Sequence, residues 1–325
     1  MDRTLSSERS TVSPDPVFRK LLIECGEHSL REFESTEDTD VIDQIKAVRN
    51  IAARHGIDLE MLIYSGVSSP LSGGRPDRVS LQRCEALANS LNSTGLRFCL
   101  AINGGLTLGP TLSREILAQV DPLLDVISRS GQTHRVRNSV VIVHPGLFRH
   151  IRSYFSELET IASCIQPLYP FADHDYLQAF EDYDYVVPLN QHATPQFLKQ
   201  YRDYVDQMLI FLTLECGIPH FAKCYAHYVA IESDYRTSES TLTRINPKSL
   251  DVVPCQLEER YCGCDDGALI DREDDLAELL RMGVWKFKVP RNGLLRRQVL
   301  TKLLQMFDLN RPATASPRGR FAVKC

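Results

Sequence analysis

The chain has 325 residues, of which 43% are hydrophobic and 24% charged, and its formal net charge is −5. This composition is typical of a folded globular protein and excludes the disordered, collagen-like and coiled-coil classes. The acidic balance provides no general basic surface for nucleic acid. No apolar run reaches the roughly 18 residues that a membrane span needs. We therefore expect neither a membrane nor a nucleic acid as partner.

The two ends of the chain differ in composition from its body. Residues 1–38 are rich in Ser, Thr and Glu, and Met1–Pro16 has no apolar stretch. Apart from the stretch Val17–Cys25 the segment has few bulky residues, which predicts a mostly flexible lead-in with no signal peptide and with at most one short helix. Residues 310–325 hold Arg and Lys but no acidic residue, which predicts a loose basic tail. The remaining residues, 39–309, are predicted to form one domain.

Apolar segments of strand length alternate with amphipathic helical segments through the body of the chain. The strand segments are Met61–Tyr64, Arg97–Ile102, Val140–Val143, Thr160–Ile165, Tyr185–Leu189, Met208–Leu214 and Val284–Val289. The helical segments are Val41–Ala53, Leu81–Leu91, Leu112–Ser128, Thr194–Tyr204 and Asp274–Met282. Such alternation predicts an α/β fold with parallel strands joined by right-handed crossovers. With an eighth strand near Leu123–Ile127, we predict a (β/α)8 TIM-like barrel, complete or distorted, with an open doubly wound sheet as the alternative.

Polar residues follow most of the predicted strands, at the barrel end where active sites are built. These residues include Asn103, His144, Asn190, Glu215 and Lys288. Imidazole and carboxylate groups exchange protons near neutral pH, so His144 and Glu215 are the candidate proton carriers. Asn190 and Asn103 are predicted to orient a substrate. The alternative, which the sequence leaves open, is that these polar residues only cap the loops that follow the strands.

A second group of residues is suited to bind anions. The loop from Ser65 to Arg75 is rich in Gly and Ser, and backbone N–H groups of such a loop cradle negative charge. Arg75 ends this loop, and a guanidinium binds carboxylate or phosphate through two hydrogen bonds. Ser65, Arg75, Lys288 and Arg291 are the candidates to bind the charged part of a substrate, whereas the local sequence of the Ser65–Arg75 loop by itself favours a plain flexible loop.

The chain has ten cysteines, and half of them fall in one segment: Cys216, Cys224, Cys255, Cys262 and Cys264. Without a signal peptide we expect a cytoplasmic protein, in which disulfides are rare. Four thiolates hold one [4Fe–4S] cluster or one zinc ion, and the loose spacing favours the cluster. Zinc bound by Cys216, His220, Cys224 and His227 is one alternative, and unrelated reduced thiols are the other. Cys99 and Cys164 stand in apolar runs and are predicted to be buried as small hydrophobic residues.

Several segments together resemble the U32 peptidase-like, or collagenase-like, family, in particular members with a Gly-Gly-Arg loop. The similar segments are YSGVSSPLSGGRP, GLRFCLAINGG, DYVVPLNQHATPQFLKQY, LIFLTLECGIPHFAKCYAHY and GALIDREDDLAELLRMGVWKFKVPR. Glu215, Pro219 and the His227-Tyr228 pair match the family's cysteine segment. Phe287, Lys288 and Arg291 match its closing element. The resemblance covers residues 59–305, and Phe221 stands where the family often has a second cysteine.

The resemblance implies a barrel with a [4Fe–4S] cluster held by four cysteines in a cysteine-bearing insertion near its C-terminal end. Cys216, Cys224 and Cys255 would be three ligands, and Cys262 or Cys264 the fourth. It also implies oxygen-independent hydroxylation, or another redox modification, of a small metabolite. The alternatives are a peptide hydrolase, as the family name suggests, and a non-catalytic, cluster-binding subunit of a heterodimer. A homo-oligomer is equally compatible with the sequence.

Overall fold

A computed structural model gives the arrangement of the chain. It describes residues 19–25, 46, 49–50, 53–54, 57–64, 80–102, 113–163, 176–188, 194–212, 269, 272–284 and 286–289. Within these ranges no helix combines the length and the apolar character needed to cross a membrane.

Eight parallel strands form one sheet, and helices occupy the connections between many of them. The strands are β1 (Arg19–Cys25), β2 (Ile57–Tyr64), β3 (Arg97–Ile102), β4 (Ser139–Ile142), β5 (Glu159–Ala162), β6 (Tyr185–Val186), β7 (Ile210–Phe211) and β8 (Lys286–Val289). The helices are α1 (Leu81–Ser93), α2 (Arg114–His134), α3 (Pro145–Tyr154), α4 (Tyr176–Asp182), α5 (Pro195–Gln200) and α6 (Glu273–Arg281), with a 3₁₀ helix at Arg202–Gln207.

The order of the strands in the sheet is β6-β5-β4-β3-β2-β1-β8-β7. The sheet curls so far that its two edge strands approach each other. Val186 of β6 forms a parallel bridge with Met208, two residues before β7. The Leu209 N–H donates to the Val186 carbonyl oxygen at 2.9 Å. The predicted α/β class with parallel strands is therefore confirmed.

Both faces of this sheet are buried, as strand β3 illustrates. Phe98, Leu100 and Ile102 pack in an outer cluster that also contains apolar side chains from the helices. Cys99 and Ala101 alternate with them and belong to an inner cluster made of residues from the strands and their ends. Because successive side chains point to opposite faces, a strand buried on both faces reads as a continuous apolar run. We call the side of the inner cluster the inner face.

A glycine with a positive φ angle follows both α1 and α6, at the point where the chain enters the next strand. Gly95 follows α1 with φ of 77°, and Gly283 follows α6 with φ of 94°, a region that residues with a Cβ atom rarely adopt. The next residue then donates back into the helix, from Leu96 N–H to the Leu91 carbonyl and from Val284 N–H to the Leu279 carbonyl. Each glycine thus ends its helix and directs the chain into the sheet.

The inner face carries an ionic network at the amino ends of the strands. Arg97 of β3 donates to Glu60 Oε1 at 3.1 Å, to Ser139 Oγ at 2.7 Å and to Glu159. Its Nε donates to the Arg137 carbonyl at 2.6 Å. Side-chain exposure of Arg97, Glu60 and Glu159 is only 9–13%, so water competes little for these contacts. The network links β2, β3, β4 and β5 at one end of the sheet.

The predicted positions of the individual strands and helices were correct in part. All seven predicted strands are present, although β5 ends at Ala162 and β7 at Phe211. The eighth strand near Leu123–Ile127 is wrong, since those residues lie in α2. Their apolar positions follow helical spacing, and Leu123, Leu124 and Ile127 pack in the outer cluster. The predicted helix at Thr194–Tyr204 is split at Tyr201 into α5 and the 3₁₀ helix.

The eighth strand is β1, in a segment predicted as a flexible lead-in with a short helix. That prediction is wrong for Arg19–Cys25, which pairs with β2 on one side and β8 on the other. The domain that includes the sheet therefore begins before residue 39. The basic tail, 310–325, lies outside the described residues.

Replacing Arg97 should reveal how much the ionic network contributes to stability. We expect Arg97→Met to lower the free energy of unfolding by about 3 kcal/mol, because the buried Glu60 and Glu159 would lose the guanidinium that binds both of them, although Glu159 would keep its contacts with Arg137 and Ser139. Arg129→Met is the control, since its 3.1 Å pair with Asp125 is more than half exposed and should contribute only about 0.3–0.5 kcal/mol. Urea unfolding measures both variants. Equal losses would contradict this role for Arg97.

Candidate functional site

The described residues include two of the predicted site residues, His144 and Lys288. The others lie outside the described residues: Ser65, Arg75, Asn103, Asn190, Glu215, Arg291, Cys216, Cys224, Cys255, Cys262 and Cys264. The same holds for Cys164, His220 and His227. Several of them come directly after the last described residue of a strand segment, as Ser65 does after Tyr64 and Asn103 after Ile102. Their roles stay predictions.

Lys288 lies on the inner face, in the second half of β8. The neighbouring Phe287 belongs to the outer cluster, so Lys288 points to the opposite side of the strand. Lys288 is only 5% exposed, and its ammonium nitrogen lies 4.7 Å from the centroid of the Phe211 ring. The strand is paired with β1 at Leu22 and with β7 at Phe211. A buried cation over an aromatic ring is stabilised electrostatically by the negative face of the ring.

His144 lies two residues beyond β4 and is fully buried. It is the N-cap residue of α3, and its Nδ1 accepts a hydrogen bond from the Gly146 N–H at 2.9 Å. An accepting Nδ1 carries no hydrogen, so the imidazole in this arrangement is neutral with its hydrogen on Nε2. His144 can therefore donate a hydrogen bond from Nε2 while it caps the helix, and transfer of a proton from the ring would first require protonation of Nδ1. Protonation of Nδ1 would break the cap.

His144 and Lys288 belong to different parts of the sheet. In the strand order, β4 and β8 are separated by β3, β2 and β1. Both residues nevertheless stand toward the carboxyl ends of their strands, at the end of the sheet opposite to Arg97. The two predicted site residues that the structure describes therefore lie at the same end of the sheet.

Sequence reasoning missed two inner-face residues at this end, Ser163 and Phe211. Ser163 follows β5, is buried, and extends the strand pairing through its N–H, which donates to the Ile142 carbonyl at 2.9 Å. Alternation from Ile161 of the inner cluster places Ser163 on the inner face. Phe211 ends β7 beside Lys288. Both residues lie within apolar segments of the sequence. The alternation of side chains between the two faces of a strand would have predicted that they lie on the inner face.

The side chains of two cysteines, Cys84 and Cys99, are described, and neither was predicted to be a metal ligand. Burial, and to a smaller extent the nearby Glu85 charge, raises the pKa of Cys84 to about 12, so its thiol stays protonated at neutral pH. Cys84 belongs to the outer cluster and Cys99 to the inner cluster, so they lie on opposite faces of the sheet. The prediction that Cys99 is a small buried hydrophobic residue is confirmed. In the described ranges, no three His, Cys, Asp or Glu side chains are grouped so as to hold a metal ion.

Comparison with known proteins gives little further guidance. No family model matches the chain, and no curated protein matches it. Among solved structures, the chain is similar to the Xanthomonas albilineans dihydropteroate synthase with 4-aminobenzoic acid. The match covers 90% of this chain and 92% of that one, with 10% identity and a TM-score of 0.31. Neither value is high enough to assign a fold or an activity to this chain.

Two substitutions separate capping by His144 from proton transfer. Asn accepts the same N–H hydrogen bond at an N-cap, whereas Ala does not. We expect His144→Ala to lower the free energy of unfolding by about 1 kcal/mol more than His144→Asn does. Thermal and urea unfolding provide the measurement. Equal losses for the two variants would contradict the capping role, and if the Asn variant keeps its turnover once an activity is known, His144 is not the proton carrier.

Proposed function

We propose that this chain is an iron–sulfur protein similar to the U32 family, which modifies a small anionic metabolite at the carboxyl ends of its strands. The reaction would be an oxygen-independent hydroxylation or another redox modification. The observation that supports a site at this end is Lys288, a buried ammonium on the inner face near the carboxyl end of β8. Parallel α/β folds build their sites at this end of the strands.

We further propose that the eight strands close into a complete (β/α)8 barrel. The support is the contact between the edge strands, where Val186 pairs with Met208 and accepts a hydrogen bond from Leu209 N–H. All other neighbouring strands in the circuit are paired in parallel. Closure would gather the carboxyl ends of all eight strands around one mouth, which explains how residues far apart in sequence would share a site.

In this proposal each group at the mouth has a distinct task. Lys288, with Arg75, Arg291 and Ser65, holds the anionic part of the substrate, and Asn103 and Asn190 orient the part that reacts. His144 and Glu215 are the candidate carriers of the protons that the reaction releases. Hydroxylation with water as the oxygen source replaces C–H by C–OH and releases two electrons and two protons, so it requires an external electron acceptor as a co-reactant. A [4Fe–4S] cluster held by Cys216, Cys224, Cys255 and either Cys262 or Cys264 would supply one-electron transfer.

The proposal places the protein in the reducing cytoplasm, where these thiolates stay available for iron. A partner subunit or a second copy of the chain is compatible with it. Peptide hydrolysis is the alternative activity, and turnover by the metal-free protein would favour it.

Anaerobic purification followed by absorption spectroscopy and by iron and sulfide analysis tests the cluster. We expect a broad band at about 400 nm and about four irons per chain. Cys216→Ala should lose the band because it removes one ligand. Cys84→Ala is the matched control and should retain it, since the Cys84 thiol is buried in the outer cluster.

Two results would contradict the cluster. Stoichiometric zinc without iron would assign the metal to Cys216, His220, Cys224 and His227. A metal-free protein after anaerobic reconstitution would exclude the redox function.

A further inference from the structure

The two edge strands of the curled sheet meet over a short stretch, which we call the seam. It consists of the parallel bridge between Val186 and Met208 and of the 2.9 Å hydrogen bond from Leu209 N–H to the Val186 carbonyl. The strands on its two sides, β6 and β7, are two residues long each. By contrast, β3 and β4 pair along the whole of β4. Among the junctions that the structure describes, the seam therefore has the least backbone pairing.

A lysine side chain joins the two sides of the seam on the inner face. Lys286 begins β8, and it points to the inner face because the next residue, Phe287, packs in the outer cluster. Its ammonium donates to the Asp206 carbonyl, in the 3₁₀ helix before β7, at 2.7 Å. The same ammonium lies 4.2 Å from the centroid of the Tyr185 ring of β6. Lys286 thus links β8 with both strands that border the seam.

Aromatic rings join the same two sides on the outer face. Phe180 belongs to α4, which precedes β6, and Tyr204 belongs to the 3₁₀ helix, which precedes β7. Their rings are stacked, with centroids 5.0 Å apart and an angle of 14° between the planes. The Tyr201 ring lies 5.5 Å from the Phe180 ring. Side chains on both faces therefore supplement the few backbone bonds of the seam.

The neighbouring junctions have more extensive pairing than the seam. On one side, β7 pairs with β8, and Lys199 of α5 binds Glu278 of α6 at 3.1 Å. On the other side, β6 pairs with β5, and the Val187 N–H extends this pairing by donating to the Ala162 carbonyl at 2.9 Å. The buried network of Arg97 links β2 to β5. If the sheet opens locally, β6 should stay with β5, and β7 should stay with β8.

From these observations we infer that the seam opens while the rest of the described sheet stays paired, and that Lys286 limits this opening. Local opening occurs preferentially where few backbone hydrogen bonds and few packed side chains must be disrupted. An open seam would uncover Val187 and Leu209 of the inner cluster, and so provide a lateral route to the inner face. The inference uses the contact between β6 and β7 and is independent of the proposed redox chemistry.

The test is residue-resolved hydrogen exchange of the full chain after anaerobic purification, and it compares the amides of Leu209 and Ser163. Both N–H groups donate at 2.9 Å to a carbonyl of an adjacent strand. Leu209 is 1% exposed and Ser163 is 6% exposed, so burial alone would protect Leu209 at least as well. We expect the protection factor of Leu209 to be lower than that of Ser163 by about 10-fold or more.

Three variants test the role of Lys286. Lys286→Met should lower the protection of Leu209 by about 3- to 10-fold and leave Ser163 unchanged. Tyr185→Leu should also lower it, and combining both substitutions should add no more than about twofold to Lys286→Met, because the two residues act through one contact. Lys199→Met is the matched control, since its exposed pair with Glu278 lies away from the seam, and both amides should stay within about twofold.

Three results would overturn the inference: protection of Leu209 equal to or above that of Ser163, no loss at Leu209 in Lys286→Met, or equal losses at both amides in that variant. If Lys286→Met fails to fold, the unmodified chain and Tyr185→Leu decide the question. Failure of the proposed function is distinguishable from these results. Protein without iron whose Leu209 amide is weakly protected would refute the redox chemistry alone, and an intact cluster with Leu209 protected like Ser163 would refute this inference alone.

Discussion

Burial of a parallel sheet on both faces is the constraint on which the rest of the structure depends. Each strand must place one set of alternate side chains against the helices and the other set on the inner face, as Phe98 and Cys99 do in β3. In the part of the chain that the structure describes, the inner cluster consists of residues from the strands and their ends, and the sheet curls until Val186 and Met208 pair. Every polar group on that face must then find a partner away from bulk water.

The two ends of the inner face meet this requirement in different ways. At the amino ends, Arg97 binds Glu60 and Glu159, and Arg137 lies 3.6 Å from Glu159, so each carboxylate has a cationic partner within the protein. Toward the carboxyl ends, Lys288 is buried and its ammonium nitrogen lies 4.7 Å from the centroid of the Phe211 ring. The proposed function assigns a stabilising role to the amino end and a binding role to the carboxyl end.

Much of the architecture could be predicted from the sequence because strands buried on both faces are long apolar runs. Arg97–Ile102 is such a run, and it was recognised directly. β1 was missed because Arg19–Cys25 is flanked by polar sequence, and only its pairing with β2 and β8 reveals it as a strand. The segment near Leu123–Ile127 was misread because helical and strand spacing are hard to separate over five residues.

The candidate site was less predictable than the fold. Position after a strand pointed to His144 and Lys288, but it did not reveal that His144 caps α3 through Nδ1. No sequence motif marks Phe211 or Ser163. Their importance depends on the strand register, which places both side chains on the same face of the sheet as Lys288. Local sequence cannot encode that neighbourhood, because it depends on pairing between β7 and β8 across a long stretch of chain.

The central claim is that the chemistry belongs to the carboxyl ends of the strands. Diffraction from anaerobically grown crystals at the iron absorption edge tests it most directly, since the anomalous signal locates iron without reference to any sequence argument. The account predicts an iron peak beyond the carboxyl ends of the strands, on the side of Lys288 and His144. A peak beside Arg97 and Glu159, or no iron peak in fully reduced and reconstituted protein, would contradict it.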